Sequence, residues 1–265
     1  MLLSAFLRYL IRQNADRLKG KIGYDVIDPQ ALRSLLDSFL QQNPPKKSPI
    51  ADHRWVSVLD SFAHPEQKHD VYYVDTEFFG HGATRTLLEV AVYSYRGEKL
   101  FSSTVDHETT VADMFSRATN NGKASSYTQQ INVGSVRKVY GLAPTDSLCQ
   151  TTRTKGKTLR QIDSALGRIG ISLISIIIEW STSNIDYHVL TQAFPSANFP
   201  PKRNWLKAIP MWRAVLPGFV TFALEHAFPI FFPHLAVEMR DHHRADIDTR
   251  KLFLMVEELV RYLRP

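Results

Sequence analysis

The chain has 265 residues, of which 44% are hydrophobic and 22% charged. That much apolar side chain excludes an intrinsically disordered or fibrous chain, because its burial can offset the entropy lost on ordering. Lysine and arginine number 32 and aspartate and glutamate 26, a net charge of +6; such a surplus favours polyanionic partners and says nothing about fold.

The one cysteine, Cys149, excludes an intramolecular disulfide and a Cys-based zinc site. It reads as a small buried hydrophobe in a reducing, intracellular compartment. No apolar run approaches the roughly 18 residues of a membrane span. At the N-terminus, Leu2, Phe6, Leu7, Leu10 and Ile11 recur at helical spacing, with Arg8 and Arg12 between them. This basic amphipathic helix reads first as one docked on the domain. A mitochondrial targeting segment and a surface-binding helix are the alternatives. Cytoplasm or nucleus is therefore expected, with the mitochondrion as the alternative.

Residues 1–50 read as helical. Asp28 and Pro29 suit an N-cap and first turn, and Leu32, Leu35, Leu36 and Phe39 then line one face. Pro44 and Pro45 end that helix in a linker. The spacing predicts an N-terminal helical extension over 1–69, able to carry a protein partner, and a main domain over 70–265.

At Val71 the pattern changes. Val71–Val74, Leu87–Tyr95 and Leu100–Val105 read as strands, the last two joined by the turn Arg96-Gly97-Glu98. They predict an antiparallel meander. Helices and loops follow to about Gly170. Ser172–Ile178 is short and β-branched, as in a buried strand of an α/β sheet. Ile185–Phe194 and Val215–Ala227 read as helices, the second broken by Pro229 and Pro233. The last helix, from Asp246 to Leu263, carries Leu252, Val256, Leu259, Val260 and Leu263 at helical spacing.

Three acidic positions stand out by their places in these elements. Asp75 and Glu77 close the first strand, and residues two apart on a strand share a face. Two carboxylates so placed repel unless a cation lies between them, and magnesium takes such oxygen ligands. Asp186 opens a helix just after the strand Ser172–Ile178. His243 and Asp248 stand five apart where a loop becomes the last helix. Singly, each has a plain structural reading: a chance Asp-x-Glu pair, a helix-start acid, a cap beside a surface histidine.

Together, in this order, they resemble the DEDDh group of 3′–5′ exonucleases, which includes polymerase proofreading subunits and RNA-trimming enzymes. Asp75 and Glu77 match its first motif, Asp186 its second, and His243-Arg244-Ala245-Asp246-Ile247-Asp248 its third. Leu88-Glu89-Val90-Ala91 resembles the family's second strand, and Val139-Tyr140-Gly141-Leu142 its H-G-I segment, with Tyr140 in place of histidine. Leu190 stands four after Asp186, as in the family. The resemblance covers roughly 71–263. It implies an α/β, RNase H-like mixed sheet of three antiparallel strands plus parallel strands, flanked by helices. The sequence departs from the family at Trp180-Ser181, where many members carry His-Asn, and a long stretch separates Asp75 from Asp186, which predicts an insertion within Val111–Lys157.

The resemblance further implies two ions, Mg2+ or Mn2+, per active site, held by Asp75, Glu77, Asp186 and Asp248, with His243 as general base and a 5′-mononucleotide as product. Single-stranded nucleic acid is the expected substrate. The Asp75-Thr76-Glu77-Phe78 form is nearest to poly(A)-removing members and favours RNA. Phe78 and Phe79 are candidates to stack on terminal bases, one of them being core because neighbours face opposite ways. Asn184 and Tyr187 are further substrate-binding candidates. A catalytically silent binding or scaffold protein on the same fold, a DNA-directed exonuclease and an unrelated basic protein are the competing readings. Residues 111–170 hold nine basic and three acidic residues, so the whole surplus of +6 lies there. Arg153, Lys155, Lys157 and Arg160 are the expected path for the strand's body.

Overall fold

The structure is a computed structural model, and it describes residues 41, 52–120, 125–195, 197, 199–216, 223–239 and 244–263. The predicted helices before residue 50 lie outside these residues, apart from Gln41. The described chain begins with helix α1 (Arg54–Ala63), whose Trp55 and Val58 are buried in the main core.

Strand β1 (Val71–Phe79) runs up the middle of a five-stranded sheet. β2 (Thr86–Ser94) pairs antiparallel with β1, and β3 (Lys99–Thr104) antiparallel with β2. β4 (Ile176–Glu179) and β5 (Trp205–Lys207) then add in parallel on the other side of β1. The order is β3-β2-β1-β4-β5. This is the mixed, RNase H-like α/β sheet that the sequence predicts. β4 is shorter than expected: Ser172–Ser175 form a turn instead, in which Ser175 Oγ donates to Asp70.

Helices cover both faces because β1 and β2 are apolar on both. On one face Val71, Tyr73 and Ile178 pack with Leu252, Met255 and Val256 of α9 (Ala245–Leu263). On the other, Tyr72, Val74 and Ile177 pack with Ile162 and Leu166 of α4 (Leu159–Ile169) and Val189 and Leu190 of α5 (Ile185–Ala193). The inserted stretch folds as α2 (Val111–Thr119) and α3 (Ser126–Tyr140), which bury Met114, Phe115 and Val136 around Phe79 and Leu88.

The predicted helix Val215–Ala227 is corrected. α6 (Ala208–Val215) ends where that helix was to start, and α7 (Leu224–Phe231) and α8 (Pro233–Glu238) follow. Trp212, Val215, Leu224, Ala227 and Phe228 all enter the same core. A run apolar on every side carries no period, so its break does not show in hydrophobicity. Among the described residues no helix is long and apolar enough to cross a membrane.

Candidate active site

β1 is apolar through Val74 and acidic toward its C-terminal end. Its alternation sends Tyr73 toward α9, so Asp75 and Glu77 project to that side too. The start of α9 is tied to the same sheet. Glu89 of β2 is 1% exposed and accepts from Arg244 Nε at 3.1 Å, Arg244 Nη2 at 3.0 Å and the Ala245 N–H at 3.2 Å. Asp246 accepts from the Tyr93 hydroxyl at 2.8 Å and pairs with Lys99 at 3.1 Å. These ties deliver Asp248, one turn on, to β1. One carboxylate oxygen from each of Asp75, Glu77 and Asp248 lies within 4.8 Å of the others, and all three residues are half-buried.

Such a cluster is electrostatically unfavourable by itself. Burial, then the charges of Asp186, Asp248, Glu77 and Glu89, push the Asp75 carboxyl well above the usual range. Lys251 offsets part of this: its side chain is fully buried, and its Nζ lies 2.9 Å from Asp248 Oδ1. The donor set is all oxygen and anionic, which fits a hard divalent cation such as Mg2+ or Mn2+.

Asp186 stands beside this triad and is anchored from the other face. Its Oδ1 accepts from the Thr76 N–H at 3.0 Å and the Thr76 hydroxyl at 2.5 Å. Burial raises its pKa to about 6, against the lowering effect of the Thr76 hydrogen bonds. Behind it is a carboxylate that the sequence reading missed. Glu179 ends β4 fully buried and accepts from Ser181 Oγ and the Tyr187 N–H. Burial, then the Asp186 charge, pushes Glu179 up to about 8. Its only sequence signal is an acid closing the apolar run Ile176-Ile177-Ile178. Lys251 and the Glu89–Arg244 pair were likewise not foreseen, since partners so far apart in sequence leave no local pattern. His243 lies outside the described residues.

The register slips between Glu77 and Phe78: Glu77 faces Glu89 while Phe78 faces Leu87, leaving Leu88 unpaired. Such a bulge re-aims the side chains after it. Phe79 is 2% exposed, packed among α2 and α3, so it is core and not a stacking surface. Phe78 is half-buried, with the Arg85 guanidinium 5.9 Å from its ring centroid. Asn184 is buried in a left-handed turn, and its side-chain amide donates to the Trp205 carbonyl, so it supports the start of α5. Tyr187 is half-buried edge-on to Trp205 and His188.

The basic segment flanks the sheet's far edge. Arg153 bridges to Thr110 and donates to the Glu108 carbonyl, while Lys157 bridges to Val105. Gly156 makes this close approach: at φ +128°, a Cβ there would lie 2.1 Å from the Thr104 carbonyl. Thr104 faces Glu89, which faces Glu77. The segment thus joins the acidic end of the sheet two strand spacings away, about 10 Å. Lys157 and, along α4, Arg160, Gln161, Ser164 and Arg168 line an open groove of about 360 Å³.

No protein-family model and no curated protein matches the sequence. Among solved structures, one of exonuclease I superposes with a TM-score of 0.46 at 14% sequence identity, over 72% of this chain. The chain spans 42% of the length of that structure. A similarity this slight decides nothing about activity.

Proposed function

We propose that the chain is a metal-dependent 3′–5′ exonuclease of the DEDDh group, releasing 5′-mononucleotides from single-stranded nucleic acid, with RNA preferred. The observation that carries this reading is the convergence of Asp75, Glu77 and Asp248, brought from a strand and a distant helix to within 4.8 Å. Three carboxylates this close repel one another, and a divalent cation bound among them would relieve that repulsion.

In this reading Asp75, Glu77 and Asp248 would hold divalent cations, with Asp186, fixed by Thr76, as a further carboxylate beside them. Two bound Mg2+ or Mn2+ ions would neutralise phosphodiester charge and make water a better nucleophile. His243 takes a proton from the attacking water, a role suited to an imidazole at neutral pH. Phe78 gives a stacking surface for a terminal base, worth roughly 1–3 kcal/mol whatever the base. The preference for RNA rests on the Asp75-Thr76-Glu77-Phe78 resemblance.

The test is release of mononucleotide from a 3′-labelled single-stranded oligomer in Mg2+, comparing wild type with Asp75→Asn, on matched RNA and DNA. Absence of a magnesium-dependent difference between the two proteins overturns the nuclease reading. His243→Ala should slow turnover and leave Mn2+ affinity intact; if that affinity collapses, the general-base role is wrong.

A further inference from the structure

The two helices that carry Asp186 and Asp248 are each tied at the first turn by a buried glutamate from a strand. α9 is met by Glu89 of β2, which accepts from the Ala245 N–H at 3.2 Å. α5 is met by Glu179, the last residue of β4, whose Oε2 accepts from the Tyr187 N–H at 3.3 Å. Tyr187 is the third residue of α5, and the N–H there is one that a helix's own N-cap side chain ordinarily satisfies. In α2 and α4 that is what happens: the Thr110 and Thr158 hydroxyls accept from the Asp113 and Gln161 N–H groups. In α5 the N-cap residue, Asn184, makes no such bond and turns its side-chain amide to the Trp205 carbonyl. Glu179 supplies the acceptor instead. Its Oε1 also accepts from Ser181 Oγ, which in turn accepts from the Asn184 N–H at 3.0 Å. The glutamate and the serine thus do from outside the helix what a capping box does from within.

We infer that Glu179 is a positioning residue, which sets where Asp186 stands by holding the first turn of α5 to β4. The inference rests on the exonuclease reading and deepens it. Asp186 then has two anchors on neighbouring strands. Thr76 of β1 donates its N–H and hydroxyl to the carboxylate, at 3.0 and 2.5 Å. Glu179 of β4 holds the main chain one residue further on, at Tyr187. β1 and β4 pair directly, with Tyr73 opposite Ile178. Asp75 lies two residues after Tyr73 and Glu179 one after Ile178, so both ride on the same pair of hydrogen-bonded strands. The position of Asp186 relative to Asp75 is therefore set by the sheet, although the two residues reach the site from different elements. Partners that orient the carboxylates of a metal site typically change activity about 10- to 100-fold when lost.

The experiment takes two readouts on the full chain. One is amide hydrogen exchange over Ile185–Ala193 in EDTA, by mass spectrometry. The other is steady-state hydrolysis of a 3′-labelled single-stranded RNA in Mg2+. The proteins are wild type, Glu179→Ala, Glu179→Gln, Ser181→Ala, and Val58→Ala as a control that opens a core cavity under α1. Glu179→Ala removes the acceptor, so the first turn of α5 should exchange roughly tenfold faster. Its kcat should fall roughly tenfold, with KM within about twofold of wild type. Glu179→Gln keeps a carbonyl acceptor for the Tyr187 N–H and should recover most of both losses. Ser181→Ala should speed exchange in the same turn by a smaller factor, and it carries the comparison if Glu179→Ala does not fold. Val58→Ala should match wild type over α5 and in kcat. Wild-type exchange over α5 in Glu179→Ala and Ser181→Ala overturns the positioning role, as does a Glu179→Gln as impaired as Glu179→Ala. A wild type that hydrolyses RNA while Glu179→Ala keeps its kcat overturns that role alone. A wild type that does not hydrolyse RNA overturns the exonuclease reading, and the exchange rates still decide whether Glu179 holds the helix.

Discussion

The ammonium of Lys251 lies 2.9 Å from Asp248 Oδ1, with no part of the lysine side chain exposed. This buried cation sits against one of three carboxylates that otherwise repel one another. Breaking a buried pair from one side leaves an uncompensated charge and typically costs about 3–5 kcal/mol. Lys251→Met keeps the length and loses the charge. Its stability should fall by about 3 kcal/mol in EDTA, and by clearly less in saturating Mn2+, which would offset the same carboxylates. Urea unfolding under both conditions measures this; equal losses would show that Lys251 does not share the cluster's electrostatics.

Glu89 is predicted to control where Asp248 lies. It is buried and receives three donors from Arg244 and the first residue of α9. Glu89→Gln removes the charge that holds Arg244 and the helix N-terminus, for a loss of roughly 2–3 kcal/mol. Because α9 carries Asp248, Mn2+ affinity should drop as well. A double-mutant cycle with Arg244→Met, followed by calorimetric Mn2+ titration, separates the two effects. Unaltered Mn2+ affinity in Glu89→Gln would show that the clamp serves stability alone.

The metal-free protein should lose stability as pH rises. Glu179 is raised from 4.5 to about 8 and Asp186 from 3.8 to about 6. A carboxyl with its folded pKa above its unfolded value binds its proton more tightly when folded. Its favourable contribution is therefore present below the unfolded pKa and is lost as pH rises through the folded one, here between about 4 and 8. Glu179→Gln should be more stable than wild type near pH 8, and that advantage should shrink toward pH 4.5. Thermal melts in EDTA across this window decide it; a difference independent of pH contradicts the assignment.

Gly156 lets the basic segment lie against β3. Alanine there combines a left-handed φ with a Cβ 2.1 Å from the Thr104 carbonyl, so the segment must move. Gly156→Ala should cost about 1–3 kcal/mol and weaken RNA binding with net charge unchanged. If affinity in an anisotropy titration with a fluorescein-labelled single-stranded RNA stays at the wild-type value, Lys155 and Lys157 do not lie on the strand's path.

Periodicity and motif order were enough for much of this protein. The alternation of β1 put Asp75 and Glu77 on one face, the β-branched runs located β2, β3 and β4, and the 3.6-residue repeat from Leu252 onward located α9. These patterns are local, so residues a few positions apart encode them. What tertiary structure decided depends on residues far apart in sequence. The bulge after Glu77 sent Phe79 into the core and left Phe78 half-buried; alternation required one of the two to be core and could not say which. Thr76 anchored Asp186 from the opposite face of the sheet. Glu89 found Arg244 across most of the chain, and Lys251 was buried beside Asp248. Burial and charge pairing are properties of the packed whole, so they set which of the marked residues meet, and how strongly, only once both faces of the sheet are covered.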